Sequence, residues 1–202
     1  MDGTELKKLI MPGLIVLLGV LSFFVIRSLI NYILFGLLAS YIFYALYQKI
    51  HTKVLPYLED MIKALRKNQT PVEIVSAYRS FGEQSSLKNS YSITYGSGAN
   101  AFSADQGYSE HQLGTTVDLT TESLGANFTD FGDTKAYEWL LENSYKYGFV
   151  LSYPKGNTYY QYEPWHFRFI GRDLAQRLHE ENQNFYDLSQ RNIDNYLINI
   201  FD

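Results

Sequence analysis

Between Leu9 and Tyr47 the chain carries a single formal charge, Arg27. Neither half of that stretch has the polar stripe that a solvent-facing helix needs. Read as one helix it would run roughly 58 Å at about 1.5 Å per residue, nearly twice the roughly 30 Å hydrocarbon core of a bilayer. It must therefore break, and Arg27-Ser28 with Asn31 is the polar place to do so. Leu9–Ile26 and Leu29–Tyr47 are each about long enough to span. No small-residue cleavage site closes either one, which favours an uncleaved anchor over a removed signal peptide. The expectation is an N-terminal transmembrane helical segment of one or two helices within residues 1–54, followed by a separate domain over residues 55–202.

The remaining chain reads as an ordinary polar domain. A net charge of -4 over 202 residues argues against nucleic acid as a partner, since a basic face is expected there. The chain has no cysteine, so a metal site must be built from His and carboxylates. Leu55, Leu58, Ile62 and Leu65 recur at helical spacing and predict an amphipathic helix over Leu55–Arg66, stopped by Asn68-Gln69-Thr70-Pro71. Val72–Tyr78 is rich in β-formers and reads as a buried strand ending at Arg79-Ser80. Ser85 to Gly107 is polar, with Gly96-Ser97-Gly98 at its centre, and reads as a long loop. In Thr115–Thr120 the alternation places Thr116, Asp118 and Thr120 on one strand face, Val117 and Leu119 on the other. Thr134–Tyr147 is expected to be a helix with Ala136, Tyr137, Leu140 and Leu141 as its apolar face and Gly148 as its stop. Phe149–Tyr153 and Tyr162–Ile170 read as strands, and helices near Arg172–Glu181 and Phe185–Ile200 finish the chain. Without regular βαβ alternation, the class is α+β: a small antiparallel sheet with flanking helices.

Two separated stretches carry the chemistry. The first is Ser109-Glu110-His111-Gln112-Leu113-Gly114-Thr115-Thr116-Val117-Asp118, the second Glu163-Pro164-Trp165-His166. Alone, His111 and Asp118 read more readily as an exposed His and an unrelated strand Asp; the second motif, whose plainer alternative is a packing Trp with polar flanks, reverses that balance. Together they supply two imidazoles and one carboxylate, which with a water make a zinc site open at its fourth position. Glu163 is the natural base for such a water. In a straight strand Glu163 and His166 would face opposite sides, so a kink at Pro164 is required. His51 and His179 read as solvated, and the tyrosines from Tyr145 to Tyr162 mostly as packing between helix and strands.

These motifs, with Ser76-Ala77-Tyr78-Arg79-Ser80 and Gln84 upstream, resemble the VanY-type D-alanyl-D-alanine carboxypeptidases. That family belongs to a wider zinc-peptidase group with D,D-dipeptidases, L,D-carboxypeptidases and phage endolysin peptidases. The resemblance covers roughly Leu55 to Leu178. It implies His111, Asp118 and His166 as ligands of Zn2+, Glu163 as general base, and Arg79 as the cation that meets the substrate. It also places Ser109 and Gln84 in the cleft. Two positions depart from the family pattern: Thr116 stands where Ala is usual, and Ser152 where relatives often carry a basic residue. Thr116 shares a strand face with Asp118, within reach of that ligand's outer contacts.

The activity so implied is removal of the terminal D-Ala from peptidoglycan stem peptides. An L,D-carboxypeptidase, a cell-wall endopeptidase or a non-catalytic wall-binding module are the alternatives. The charge pattern leaves orientation open, because Lys7 and Lys8 favour a cytoplasmic N-terminus while Lys49 and Lys53 oppose Arg27 after two spans. The substrate's position outside the membrane places the expected catalytic domain on that side, at the cell membrane.

Overall fold

The computed structural model describes residues 22–34, 50–125 and 127–197. The chain divides into two compact units, Met1–Ala45 and Leu46–Asp202. In the first, residues 22–34 form a helix, α1, with exposed side chains such as Phe23, Phe24 and Leu34. Among the described residues no helix is long and apolar enough to cross a membrane. The expected spans Leu9–Ile26 and Leu29–Tyr47 fall largely outside the described residues.

The second unit is built on a four-stranded, fully antiparallel sheet in the order β1-β2-β4-β3: β1 Glu73–Ser76, β2 Thr116–Thr120, β3 Phe149–Leu151 and β4 His166–Phe169. Every residue of the central strands β2 and β4 is buried. Val117, Leu119, Phe167 and Phe169 enter the main core, which also holds Ile50, Val54 and four residues of α2, Leu55–Lys67. Those four, Leu58, Met61, Ile62 and Leu65, repeat at the spacing of one helix face, which is why α2 forms where the periodicity puts it. Its last turn carries Arg66 and Lys67, favourable at a helix C-terminus.

Three expectations are corrected. The first strand is no buried strand but a short sheet edge, its residues alternately exposed and half-buried. Its pairing with β2 shifts register between Ile74 and Ser76, turning Val75 outward. The polar stretch expected as a loop is mostly helix: α3 runs over Phe81–Tyr95, followed by a 3-10 turn over Gly96–Ala101. A capping box starts it, with Ser80 Oγ accepting from the Glu83 N–H at 3.2 Å and Glu83 accepting from the Ser80 N–H at 2.8 Å. Its only buried side chains, Gln84 and Lys88, are polar, so the stretch shows no apolar stripe. Finally, α4, Lys135–Asn143, buries Ala136, Tyr137 and Leu140 but leaves Leu141 46% exposed. The helix ends early in a 3-10 turn, Ser144–Tyr147, closed by Gly148 at φ 82°. The last described helices are α5, Arg172–Glu181, and α6, Gln190–Leu197, packed through Leu174, Leu178, Phe185 and Ile193.

Candidate metal centre

The sheet register builds half the site. Asp118 pairs with Ser76 on one side and His166 on the other, so the three side chains form a row across one face. Because Val117 and Phe167 point into the apolar core, that row lies on the opposite, polar face.

His111 reaches the row from a 3-10 turn, Glu110–Leu113. Gly114 closes the turn at φ 69°, and its carbonyl accepts the His51 N–H at 2.8 Å. A Cβ on Gly114 would sit 3.1 Å from that nitrogen, so conformation and space both require glycine. The His111 Nδ1–H donates to the Ala77 carbonyl at 2.5 Å, leaving Nε2 facing Asp118 Oδ2 at 3.2 Å. Glu163 is delivered by a β-turn. The His166 N–H donates to the Glu163 carbonyl at 3.2 Å with Pro164 at the second position, where its fixed φ suits the turn. This fold-back supplies the required kink and places Glu163 Oε2 3.3 Å from His166 Nδ1.

His111, Asp118 and His166 form a buried group whose ligand atoms all lie within 4.8 Å of one another. Asp118 Oδ1 is 3.1 Å from His166 Nδ1, yet this buried oxygen makes no well-aligned hydrogen bond among the described residues. The two groups stand close without being aligned on each other. Two tetrahedral ligands at about 2.0–2.1 Å from zinc stand roughly 3.3 Å apart, close to the 3.2 Å and 3.1 Å between Asp118 and the two imidazoles, so the donor set fits that ion. Burial raises the Asp118 pKa, but His111 and His166 outweigh it and hold the carboxyl well below its usual range. Burial disfavours a charged His166, but the neighbouring carboxylates of Asp118 and Glu110 lift its pKa to about 10. Burial pushes Glu163 up to about 7, the range where a carboxylate exchanges protons near neutral pH.

A cavity of about 430 Å³ opens over this group and is also lined by Arg79, Gln84 and Ser109, so every candidate site residue borders one space. Arg79 Nη1 donates to Gln84 Oε1 at 2.7 Å and Nη2 to Ser76 Oγ at 3.3 Å. Gln84 Nε2 donates to the Ala104 carbonyl at 2.7 Å. With both ends of its amide engaged, Gln84 braces Arg79 against the segment after α3. Lys88, one turn later, anchors the same segment through Asn100 Oδ1 at 2.6 Å and the Ser103 carbonyl. Tyr153 and Tyr160 also line the cavity and stack at 4.5 Å, so these two tyrosines do more than pack helix against strand. His179 stacks on Tyr145 at 3.7 Å, and neither it nor His51 belongs to the ligand group.

One residue was not singled out by its sequence. Glu110, immediately before His111, is a buried carboxylate that accepts from His166 Nε2 and Ser152 Oγ, both at 2.8 Å, and from Arg168 Nη1 at 2.7 Å. Tyr186 OH donates to it as well. Burial raises its pKa, but Arg168 and His166 bring it well below the usual carboxylate range. Ser152 therefore belongs to this cluster. The Oγ1 of Thr116, by contrast, is buried with no hydrogen-bond partner among the described residues.

A three-ligand group with an open side and a carboxylate beside it is a mononuclear metal centre of the kind that hydrolases use. The VanY family model, D-alanyl-D-alanine carboxypeptidase, matches residues 47–172, and the chain belongs to this family. The putative carboxypeptidase YodJ of Bacillus subtilis is 35% identical over 130 residues, 62% of this chain and 48% of the relative. A D-alanyl-D-alanine carboxypeptidase of Enterococcus faecalis is 29% identical over 147 residues, 66% of this chain and 53% of the relative. The chain thus spans about half the length of these curated relatives. Among solved structures, the LdcB LD-carboxypeptidase aligns with a TM-score of 0.61 at 32% identity, covering 67% of this chain and 65% of the other. VanYB in complex with D-alanine-D-alanine aligns at 0.60 and 28% identity, covering 68% and 81%. A VanY mutant from a VanB-type cassette, solved with Zn(II), gives 0.60 and 28%, covering 68% and 82%. Zinc is the metal that this His-Asp-His group fits.

Proposed function

We propose that the chain is a zinc-dependent D,D-carboxypeptidase that removes the terminal D-Ala from peptidoglycan stem peptides. The observation that carries this reading is one cavity with the His111/Asp118/His166 group and Glu163 at its floor and Arg79 in its wall. His111 Nε2, an oxygen of Asp118 and His166 Nδ1 would hold the metal. Bound zinc supplies the Lewis acidity that makes water a nucleophile near neutral pH and offsets charge on the carbonyl oxygen. Arg79, its guanidinium held by Gln84 and Ser76, pairs with the substrate's terminal carboxylate and sets the scissile bond over the floor. Glu163 takes a proton from the attacking water as its oxygen bonds to the carbonyl carbon. The C–N bond then breaks, and Glu163 returns the proton to the leaving D-Ala nitrogen.

The test is incubation of the zinc-loaded chain with synthetic pentapeptide and tetrapeptide stems, products being identified by mass spectrometry. Release of one D-Ala from the pentapeptide is expected. A second reading, L,D-carboxypeptidase, is favoured by the likeness to LdcB. Cleavage of the tetrapeptide alone would select it, and failure to cleave either would refute both.

The same substrate supports a location at the cell membrane with the catalytic domain outside, anchored by the Leu9–Tyr47 stretch. C-terminal phosphatase and fluorescent-protein fusions test this. A cytoplasmic C-terminus would leave the enzyme without its substrate.

A further inference from the structure

Adjacent residues of one 3-10 turn serve two different histidines. His111 enters the ligand group itself, while Glu110 turns away from it and meets the far nitrogen of His166, 2.8 Å from Oε2. The two rings consequently face the centre through different atoms. His111 gives its Nδ1–H to Ala77 and presents Nε2. His166 gives its Nε2–H to Glu110 and presents Nδ1, 3.1 Å from Asp118 and 3.3 Å from Glu163.

We propose that Glu110, clamped by Arg168, Tyr186 and Ser152, is a positioning residue for the metal centre that commits His166 to ligation through Nδ1. This rests on the zinc reading of the site. An isolated imidazole offers either nitrogen, so the acceptor on one side decides which lone pair faces the metal. A backbone carbonyl does this for His111. Where His166 needs its acceptor, the chain supplies a carboxylate instead. An unpaired buried carboxylate would be costly and would add negative charge beside a centre that already holds Asp118 and Glu163. Arg168 removes both objections. It stands two residues after His166 on β4, so it lies on the same sheet face, and its guanidinium covers the Phe185 ring at 4.5 Å. Its Nη1 donates to Glu110 Oε1 at 2.7 Å, making a neutral pair that keeps its hydrogen-bond acceptor. Ser152 donates to the same oxygen that His166 uses and Tyr186 to the other, so the carboxylate cannot rotate away.

The test uses the whole chain, zinc-loaded and 15N-labelled, and reads imidazole nitrogens by long-range 15N–1H correlation. The expected pattern is opposite tautomers: His166 protonated at Nε2 with metal at Nδ1, His111 protonated at Nδ1 with metal at Nε2. Glu110→Gln, measured by chelator competition, should weaken zinc binding about 10–100-fold, and the His166 Nε2–H should exchange faster with water. Equal zinc affinity in Glu110→Gln, or metal at His166 Nε2 in the unaltered chain, overturns the proposal. Should Glu110→Gln fail to fold, the tautomer pattern of the unaltered chain decides alone. None of these readouts uses peptide hydrolysis. A chain with the expected tautomers and zinc affinities that cleaves no stem peptide would refute the function and uphold the positioning role.

Discussion

Asp118 on β2 and His166 on β4 face each other in the antiparallel register, with Oδ1 and Nδ1 3.1 Å apart. The spacing of two ligand atoms is therefore set by a backbone ladder whose other face is apolar core, and only His111 and Glu163 depend on turns. Sites carried on strands hold their geometry better than sites on loops.

Removal of either member of that pair should empty the site. His166→Ala and Asp118→Ala are expected to retain less than about a tenth of the zinc of the unaltered chain after dialysis, because two ligands hold the ion poorly. Metal analysis with a folding check by circular dichroism measures this. Full zinc content in His166→Ala would remove that residue from the ligand set.

Glu163→Gln keeps the shape and removes the basicity. Turnover should fall by about 10²–10⁴ while zinc content is unchanged. Loss of zinc would make Glu163 a ligand, and undiminished turnover would assign proton transfer to another group.

Arg79→Lys keeps the charge and loses the planar fork. With one of two parallel bonds gone, kcat/KM on carboxylate-ended stems should fall about 10-fold or more, each charged hydrogen bond being worth about 1.5–3 kcal/mol. Gln84→Ala, which frees Arg79 from its brace, should act mainly through KM. Equal hydrolysis of stems with free and amidated C-termini would falsify the role of Arg79.

Metal-free protein should lose stability as pH rises. His166 moves from 6.5 to about 10 on folding, so its contribution is complete below pH 6.5 and is lost on the way to 10. Glu163 moves from 4.5 to about 7, so folding binds a proton there as well and stability falls from pH 4.5 to 7. Asp118 and Glu110, both lowered, act the other way, but only in acid. Zinc needs Asp118 ionised and the His166 Nδ1 lone pair free, so the rise in Tm on adding zinc should grow with pH. Thermal melts from pH 6 to 9, with chelator and with zinc, measure both. A metal-free Tm that climbs across that range would contradict the assignment.

The gathering of His111, Asp118, His166 and Glu163 around one cavity was legible in the sequence because each half of the group lies within ten residues, with Gly114 and Pro164 marking the turns. Strand alternation also put Asp118 and Thr116 on one face correctly. The Glu110 cluster was not legible, because its partners lie 42 to 76 positions away and no local pattern joins them. Helix α3 was missed because periodicity detects apolar stripes, and its buried positions are Gln84 and Lys88. Leu141 misled for the opposite reason, being apolar yet on the outer side of α4.

The polar seating of α3 bears on how the cavity opens. Apolar burial holds α2 and α4, whereas the buried side chains of α3 are a glutamine and a lysine whose bonds water can replace, with ring contacts from Tyr91 and Tyr95 to Phe102 beside them. Net stabilisation from such exchangeable bonds is modest, about 0.5–1.5 kcal/mol for the neutral glutamine bond and about 1.5–3 kcal/mol for a charged lysine one. This wall is therefore expected to open before the strand-built floor. Amides of α3 should accordingly exchange with deuterium sooner than those of β2 and β4, which leaves the cavity with one yielding side above an unyielding floor.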